Sequence, residues 1–428
     1  MSSVMDYQLT NKVDTRPQSN DPRFGVSATI DLDSARLEDV TVKEVIVGES
    51  LLNPSAYTVT TLQSAMYFQT GFGSPIDWNR FRCKPIRINI SDLLGNRTMK
   101  INQTVYRCDN RQFTSTNTGN TEDLSLHSID QSILNDAGKV WKKVWKCATP
   151  SQVVREALQQ IGGSDGAMVS NNTGPGRPYM AESIHPLQVI QQQANVALAN
   201  GNDPSFIHYM TIDGNTGKNI HNFRSLYDLM HPSAHTPVDL YAGDVGVTGD
   251  LGFSDSFADL PNRTAISFNF PCDYDVLSDI LNGISCEGAN LNEVRMWNPT
   301  SGDFMGAASQ VMGAVSSIAN LRTSWTNKGT AQQQNSCETN VEKYLLKRQA
   351  RMGLLERDKI ALRIVLPWSP WFHPGHQIKF NWVNRYDQTI PQYGSGRYMI
   401  VNMTHKIQFG DYATTTLDCI ANTFGVGG

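Results

Sequence analysis

Two pairs of closely spaced histidines have the most evident capacity for metal chemistry in this sequence. His231 and His235 lie four positions apart, but Pro232 between them delays any helix that would present both on one face. His373 and His376 flank a Pro-Gly turn. Zinc requires three or four convergent ligands, and no acidic or thiol partner follows His231 and His235 at ligand spacing. We therefore interpret the four histidines as surface or hydrogen-bonded residues and predict no metal site.

Catalytic and phosphate-binding patterns give no stronger signal. Neither the H-E-x-x-H metalloprotease motif nor the G-x-x-x-x-G-K-[ST] phosphate loop occurs in the chain. Residues 213–219 resemble a calcium or phosphate loop, but they lack the terminal Glu of a calcium loop and fit a hairpin turn. Asp273 and Asp275 could form a glycosidase carboxylate pair, yet 40 acidic residues supply many accidental pairs. The sequence thus predicts no catalytic, cofactor-binding or metal-binding residue, no cofactor, and a protein that is not an enzyme.

An aromatic cluster among prolines stands out near the C-terminal end. Trp368, Trp371 and Phe372 lie within eight residues that also hold three prolines. Such a group can form a stacking platform for a sugar, an anchor for a partner protein, or the plug of a β-barrel end. We favour the plug, since large aromatic side chains contribute most to cores. Trp141 and Trp145 are interpreted in the same way, as core or interface residues.

Composition places the chain among folded proteins of two or three domains. Its 428 residues exceed one ordinary core, and 39% hydrophobic residues are enough to fill more than one. Charged residues make up only 18%, with 36 basic against 40 acidic side chains and a formal net charge of −4. Proteins that bind nucleic acid through its phosphates are normally basic. We therefore predict no specific nucleic-acid binding.

Membrane and disulfide signals are both weak. No apolar run of about 18 residues is present, so no membrane insertion is predicted. Seven cysteines are scattered without a C-x-x-C pair, which disfavours a disulfide framework or zinc ribbon and suggests folding in a reducing cytoplasm. Cys83, Cys108 and Cys419 lie in alternating apolar runs and are predicted to be small buried residues.

Hydrophobic periodicity predicts strands towards both ends of the chain and helices in its middle. Residues 86–105 alternate on either side of a Gly-Asn step, which predicts a hairpin. Thr149 begins a helix as the N-cap of a capping box, and a second helix begins at Pro186. A further hairpin is predicted over 206–223, and a meander of alternating strands over 360–421.

These elements predict a mainly β protein with α+β insertions, in which two β-barrel domains bracket a small α/β domain. The predicted divisions are an extended N-terminal arm at 1–23, a first β-barrel domain at 24–148, an α/β middle domain at 149–235, a Gly/Asp-rich connection at 236–263, and a second β-barrel domain at 264–428. The second barrel carries a helical and loop insertion at 275–356. Within that insertion, residues 306–336 are small and Gln-rich and offer little apolar surface to bury.

Three stretches, in this order along the chain, resemble one known family. The first runs from 124–130 to the capped helix at 149–161, and the second joins 184–190 to 206–214 and the Phe-Arg-Ser-Leu step at 223–226. The third is 396–405 with the last strand. Together they span roughly half of the chain. They resemble the central baseplate hub of contractile phage tails, a family related to the hub portion of type VI secretion spikes.

The resemblance implies a structural role in a homotrimer. Three chains with two barrels each would form a ring that adapts a threefold spike to the sixfold tail tube and leaves a channel for DNA or tape measure. The implied partners are a central spike protein, a tail-tube initiator or tube protein, a tape-measure protein and wedge proteins. The implied location is the virion, in the tail baseplate, after assembly in the host cytoplasm. Because no needle repeat follows the last strand, the spike is expected to be a separate polypeptide.

Two other functions stay open from the residues alone. A peptidoglycan-cleaving tail enzyme would need a convergent acid pair or a zinc triad. A carbohydrate-binding tail protein would use the tryptophans near 371 as stacking surfaces. The parts of the chain at 306–336 and near Gly249 match nothing in the hub family.

Overall fold

The computed structural model describes residues 26–32, 40–51, 63–70, 78–92, 97–116, 119–199, 203–230, 237–242, 263–271, 348, 352, 355, 361–382, 394–408 and 412–421. Several predictions fall outside these residues: the arm at 1–23, His231 and His235, Asp273 and Asp275, and the stretch 306–336. Within the described residues, no helix has both the length and the apolar character needed to cross a membrane.

The described chain contains seventeen strands and four α-helices, with a short 3-10 helix at Trp78–Phe81. The strands are β1 (Val26–Leu32), β2 (Val40–Ser50), β3 (Gln63–Thr70), β4 (Pro85–Asp92), β5 (Thr98–Thr116), β6 (Gly119–Ile129), β7 (Trp141–Ala148), β8 (Met168–Val169), β9 (Arg177–Ile184), β10 (Phe206–Ile212), β11 (Asn219–Ser225), β12 (Val238–Tyr241), β13 (Ser267–Asn269), β14 (Leu362–Pro367), β15 (Gln377–Asn381), β16 (Gly396–Gln408) and β17 (Tyr412–Ala421). The helices are α1 (Gln131–Ala137), α2 (Pro150–Ile161), α3 (Pro186–Val196) and α4 (Leu226–Met230).

Twelve of these strands form one hydrogen-bonded sheet. Its main path runs β1-β4-β5-β6-β3-β2-β16-β17-β14-β13, while β15 pairs with β16 and β12 pairs with β15. The pairs along the main path are antiparallel, whereas β12 and β15 run parallel. More than half of the described residues lie in strands, and the sheet curls into two half-barrels. The predicted fold class, mainly β with α insertions, is confirmed.

The pairing of β2 with β16 joins the N-terminal half-barrel to the C-terminal one. Glu49 lies opposite Met403 in this antiparallel register. Immediately after β2, the Leu51 amide donates to the Val401 carbonyl at 2.8 Å. The two half-barrels therefore share a continuous hydrogen-bond ladder, so that neither presents a free edge at the join.

The predicted hairpin over 86–105 forms as β4 and β5. Ile88 lies opposite Ile101 and Ile90 opposite Met99, and all four side chains are buried. Because side chains alternate between the two faces of a strand, this register places the apolar set of both strands on one face. That face supplies part of the first hydrophobic core.

Helix α2 begins and ends at the residues that its sequence predicts. Thr149 is the N-cap, and its side chain accepts from the Gln152 amide while the Gln152 side chain accepts from the Thr149 amide at 2.9 Å. Pro150 occupies the first turn, where its missing N–H leaves no unsatisfied group. Gly162 ends the helix with φ 78°, a left-handed conformation that glycine adopts without a steric penalty. The predicted capping box is confirmed.

The middle of the chain contains two small sheets beside these helices. Strands β10 and β11 form the predicted antiparallel hairpin, and β8 pairs with β11. Strand β7 pairs with β9, so this pairing crosses the predicted boundary at 148. The five domain divisions remain predictions. Arg348, a half-buried residue of the predicted insertion, also contacts this region: it donates to the carbonyls of Pro204 at 2.7 Å and Phe206 at 3.0 Å.

The cysteine prediction holds at one position of three. Cys419 on β17 is buried, but Cys83 and Cys108 are exposed. Cys83 lies in the turn before β4 with φ 58°, and Cys108 lies on β5 beyond the residues that pair with β4. Alternation along the sequence did not reveal that β4 pairs with β5 only as far as Thr104, which leaves β5 without this neighbour at Cys108. Cys147 on β7 is disulfide-bonded, so the cysteines are not all reduced.

Candidate functional site: a buried junction between the strand sets

The segment 367–377, which connects β14 to β15, lies across the strands that join the two half-barrels. The Trp368 amide donates to the Ala413 carbonyl at 3.1 Å, at the start of β17. Farther along, the Gly375 amide donates to the Ile400 carbonyl at 2.8 Å, on β16. We call 367–377 the junction segment, since its backbone is fixed to both β16 and β17.

The aromatic cluster of the junction segment divides between core and surface. Trp368 is fully buried in the first hydrophobic core, and Phe372 is buried in the second. Trp371 is 50% exposed. Trp368 and Phe372 are therefore core residues, and a role as the plug of the last barrel remains a prediction, while Trp371 keeps an exposed face.

A buried ion pair fixes the start of the junction segment to the N-terminal half-barrel. Arg97, just before β5, donates from Nε to Asp92 Oδ2 at 3.1 Å and from Nη1 to the Trp368 carbonyl at 2.6 Å. Its guanidinium carbon lies 5.9 Å from the Trp368 ring centroid. Both charged side chains are only 5% exposed. Because this pair is largely removed from water, its two charges depend on each other for solvation.

A second charged pair, Glu49 with His373, lies at the other end of the junction segment. His373 Nδ1 is 3.1 Å from Glu49 Oε2, and the Glu49 side chain is completely buried. Burial raises the pKa of Glu49, although His373 and an Ile212 backbone hydrogen bond oppose the shift. Burial alone would lower the pKa of His373, but the charges of Glu49 and Asp213 and the Glu49 hydrogen bond outweigh it and raise that pKa. Burial thus favours the neutral form of Glu49, whereas the contact with Glu49 favours the protonated form of His373.

The β10–β11 hairpin closes this site from the middle of the chain. Tyr209 on β10 is buried, which raises its pKa to about 12 in spite of the neighbouring Arg224. Gly375 has φ 87°, and a Cβ at this position would lie 3.3 Å from Tyr209 Oη and 3.1 Å from Leu229 Cδ2. Only glycine suits both the backbone angle and the close approach. The hairpin turn also contacts β5, where the Lys100 amide donates to the Gly214 carbonyl at 2.8 Å.

His405 lies on β16 within the same buried region. Its Nδ1 is 2.9 Å from Thr415 Oγ1 on β17, and its Nε2 has no hydrogen-bond partner. Burial, followed by the charge of His373, lowers the pKa of His405 to about 3. His405 is therefore neutral in the folded protein at ordinary pH.

A buried chain of polar groups, the relay, connects α1 to the β10–β11 hairpin. Ser132 Oγ contacts Asp130 and lies 2.8 Å from His221 Nε2, and His221 Nδ1 lies 3.0 Å from His208 Nε2. The two imidazole rings stack at 5.2 Å with an angle of 9°. Ser132, His208 and His221 are all buried. The relay thus contains the serine–histidine contact of a nucleophilic site without exposure to a substrate.

The hydrogen-bond directions of the relay oppose nucleophilic catalysis. Asp130 can only accept, so Ser132 donates its one hydroxyl proton there, and His221 Nε2 must donate to Ser132. His208 then donates to His221 Nδ1. A catalytic serine donates in the other direction, to a histidine that acts as its base. Burial also lowers the pKa of His221 to about 4, which makes it a poor base at neutral pH.

We expect Ser132→Ala to lower the free energy of unfolding by about 1 to 3 kcal/mol, because it leaves the buried His221 Nε2–H without an acceptor. Urea denaturation followed by tryptophan fluorescence measures this change. Ser164→Ala is the matched control, because Ser164 is exposed and its side chain has no hydrogen bond in the structure. This variant should unfold at the wild-type midpoint. Equal midpoints for Ser132→Ala and Ser164→Ala would contradict a structural role of the relay.

Other chemical patterns of the sequence do not converge in the described residues. His373 and His376 lie in one turn with ring centroids 5.2 Å apart, but within the described ranges no three His, Cys, Asp or Glu side chains are grouped to hold a metal ion. The sequence reasoning found no G-x-S-x-G motif, which was wrong: residues 162–166 spell it, but they follow helix α2. A nucleophile elbow requires a strand before the serine and a helix after it.

Sequence reasoning missed both the relay and most contacts of the junction segment. His208 and His221 sit on the same face of their hairpin, in alternation with Met210 and Phe223, so their proximity could have been inferred from the predicted register. Glu49 and His373 gave no such signal, since 324 positions separate them. The contacts of Glu49, His373 and Gly375 can hold β2, the β10–β11 hairpin and the junction segment in one fixed geometry. Such rigidity suits a protein that assembles with others.

Comparisons with known proteins give similarities in fold at low sequence identity. No protein-family model and no curated protein matches the chain. Among solved structures, it is similar to a tail protein from Neisseria meningitidis, with 11% identity and a TM-score of 0.49, over 92% of this chain and 96% of that one. It is also similar to a type VI secretion component from E. coli, described as similar in structure to T4 phage tail proteins, with 12% identity, a TM-score of 0.48, and coverage of 94% and 79%.

A third similar structure is a 43 kDa prophage tail protein from Shewanella oneidensis. Its identity to the chain is 10% and its TM-score 0.46, over 92% of this chain and 99% of that one. These structures and the sequence resemblance name the same class of protein, phage tail and type VI secretion components. All three TM-scores are below 0.5, so the similarity concerns the fold and not the function.

Proposed function

We propose that the chain is a structural hub of a contractile tail baseplate. The observation that carries the proposal is the continuous twelve-stranded sheet, in which β2 and β16 join two half-barrels. A hub must present several similar surfaces in fixed relative positions. The Arg97–Trp368 and Glu49–His373 contacts, which join positions far apart in the chain, supply that rigidity.

In this proposal the working form is a homotrimeric ring. Three chains with two half-barrels each present six similar units, on which a sixfold tail tube can sit, while the opposite side contacts a threefold spike. Head-to-tail contacts that close after three copies produce such a ring. The ring leaves a central channel for DNA or tape measure. A weakly charged chain with net charge −4 suits that channel, since it attracts few phosphates.

The proposed partners follow from this geometry. A central spike protein and a tail-tube initiator or tube protein bind opposite sides of the ring, a tape-measure protein enters it, and wedge proteins surround it. The protein is then part of the virion tail baseplate, assembled in the host cytoplasm. It has no catalytic role, which agrees with the direction of the hydrogen bonds in the relay.

The oligomeric state tests the hub proposal. Mass photometry of the purified chain with spike and tube-initiator proteins should show a particle that contains three copies of this 47.5 kDa chain. An obligate interface of this kind typically buries more than about 2,000 Å². The chain alone, measured at the same concentration, shows whether the partners are needed. A chain that stays monomeric with both partners added would refute the hub proposal.

A carbohydrate-binding tail protein is the second candidate, and one observation favours it. Trp371 exposes half of its surface beside the buried Trp368 and Phe372, so a rigid turn presents its ring to solvent. Flat aromatic faces of this kind stack on sugar rings. Binding to a glycan array that is lost in Trp371→Ala, with the trimer unchanged, would favour this function over a purely structural one.

A further inference from the structure

The two-stranded ribbon of β7 and β9 has an inner face packed on the protein. Trp141 and Trp145 contact each other edge to face at 5.0 Å, and Trp145 contacts Tyr179 at 5.5 Å. Trp145 Nε1 also donates to Glu156 Oε2 of α2 at 3.0 Å. In the described part of the chain, β7 and β9 pair only with each other. Helix α2 therefore covers one face of the ribbon.

The outer face of the ribbon is apolar at its centre. Val144 and Met180 lie directly opposite each other and are 64% and 51% exposed. Val140, at the start of the ribbon, is 62% exposed. A two-stranded ribbon gains little stability from such residues in water, so their clustering on one exposed face is typical of a surface that a partner covers.

Cations surround this apolar centre. Lys142 and Lys146 lie two positions before and after Val144 on β7, and both are exposed. Lys143, in contrast, is paired with Glu156 of α2 at 2.6 Å, and Glu182 on β9 lies opposite Lys142. Apart from the Lys143–Glu156 pair, the ribbon carries Lys142, Lys146 and Arg177 against Glu182, a local net charge of +2 in a chain whose net charge is −4. The ribbon is thus a basic surface on an acidic protein.

We propose that the outer face of the β7–β9 ribbon binds an acidic, amphipathic segment of another protein. Apolar side chains of that segment pack on Val144 and Met180, and its carboxylates lie beside Lys142 and Lys146. Binding of this kind combines burial of apolar surface with charge attraction that salt weakens. The site needs no catalytic group and is separate from the junction segment.

Charge also argues against a twofold pairing of this surface with the same surface of a second copy. In a twofold pairing, the same patch of both chains meets itself. Lys142 and Lys146 would then face the lysines of the other copy, and like charges directly opposite are destabilising. An acidic partner removes this repulsion and gains attraction instead.

The experiment uses the full chain and two labelled ten-residue peptides with blocked ends, one alternating Val with Glu and the other alternating Val with Lys. Fluorescence anisotropy at low salt should show binding of the Glu peptide. The charge-reversal variant Lys142→Glu/Lys146→Glu should weaken that binding by about tenfold or more and should instead bind the Lys peptide. Val144→Ser/Met180→Ser should weaken it as well, because it removes the apolar contact.

The matched control is Arg87→Glu/Lys379→Glu, which makes the same charge change at two exposed positions of β4 and β15. It should leave binding of the Glu peptide unchanged. Absence of binding by the wild-type chain, or equal weakening by both charge-reversal variants, would overturn the proposal. So would a wild-type self-association that Val144→Ser/Met180→Ser abolishes, since that result assigns the surface to a second copy.

Discussion

Asp92→Ala should lower the free energy of unfolding by about 3 to 5 kcal/mol, because it leaves the guanidinium of Arg97 buried without its counter-ion. Arg97 would keep the Trp368 carbonyl as a partner, but a carbonyl does not neutralise its charge. Urea denaturation followed by tryptophan fluorescence measures the change. Because Arg97 also orders the junction segment, the Trp368 environment should change in the folded variant as well.

Two comparisons separate the buried charge from other effects of Asp92→Ala. In Asp92→Ala/Arg97→Met the charge is gone, so much of the lost stability should return. Asp165→Ala breaks the ion pair with Lys218, whose two side chains are largely exposed, and should leave the midpoint unchanged. If Asp92→Ala unfolds at the wild-type midpoint, the pair does not hold the junction segment.

The local elements of the fold were predictable because their signals lie within a few residues. The capping box at Thr149 and Gln152 and the alternation around the β4–β5 turn depend on neighbours that the sequence shows directly. The β10–β11 hairpin is predictable for the same reason. Each of these elements forms as predicted, since no tertiary contact opposes its local preference.

The junction could not be predicted, because its contacts join positions far apart in the chain. Arg97 and Trp368 are 271 positions apart, and Glu49 and His373 are 324 apart. Periodicity tells which face of a strand is apolar, but it does not tell which strand becomes its neighbour. The pairing of β2 with β16 decides both contacts, and a charged residue such as Glu49 gives no sign of burial in the sequence.

Burial of charge also distinguishes the two kinds of polar group at the junction. In the Arg97–Asp92 and Glu49–His373 pairs, an acidic side chain lies beside a basic one. His208, His221 and His405 have no such direct partner, and burial makes them neutral. Proteins retain buried polar groups at a cost to stability, and in a hub such groups would fix one relative position of the two half-barrels.

The neutral histidines should make the folded protein sensitive to acid. Burial lowers the pKa of His405 to about 3 and that of His221 to about 4, and it lowers the pKa of His208 well below its usual value of 6.5. Below pH 6.5 the unfolded chain therefore binds protons that the folded chain does not. The free energy of unfolding falls as the pH falls, by up to about 1.4 kcal/mol per pH unit for each histidine.

His405→Gln should reduce this slope between pH 6.5 and pH 5 by about 1 kcal/mol per pH unit relative to the wild type, because it removes one of the titrating groups. The raised pKa values of Glu49 and His373 contribute with the opposite sign, since that stability is lost as pH rises, but both groups remain in the variant and largely cancel in the difference. Urea midpoints at several pH values give the two slopes. Thr415→Val is the matched control: it removes the hydroxyl partner of His405 and should lower stability while keeping the wild-type slope. If His405→Gln and the wild type lose stability at the same rate below pH 6.5, then His405 is not held neutral in the folded protein.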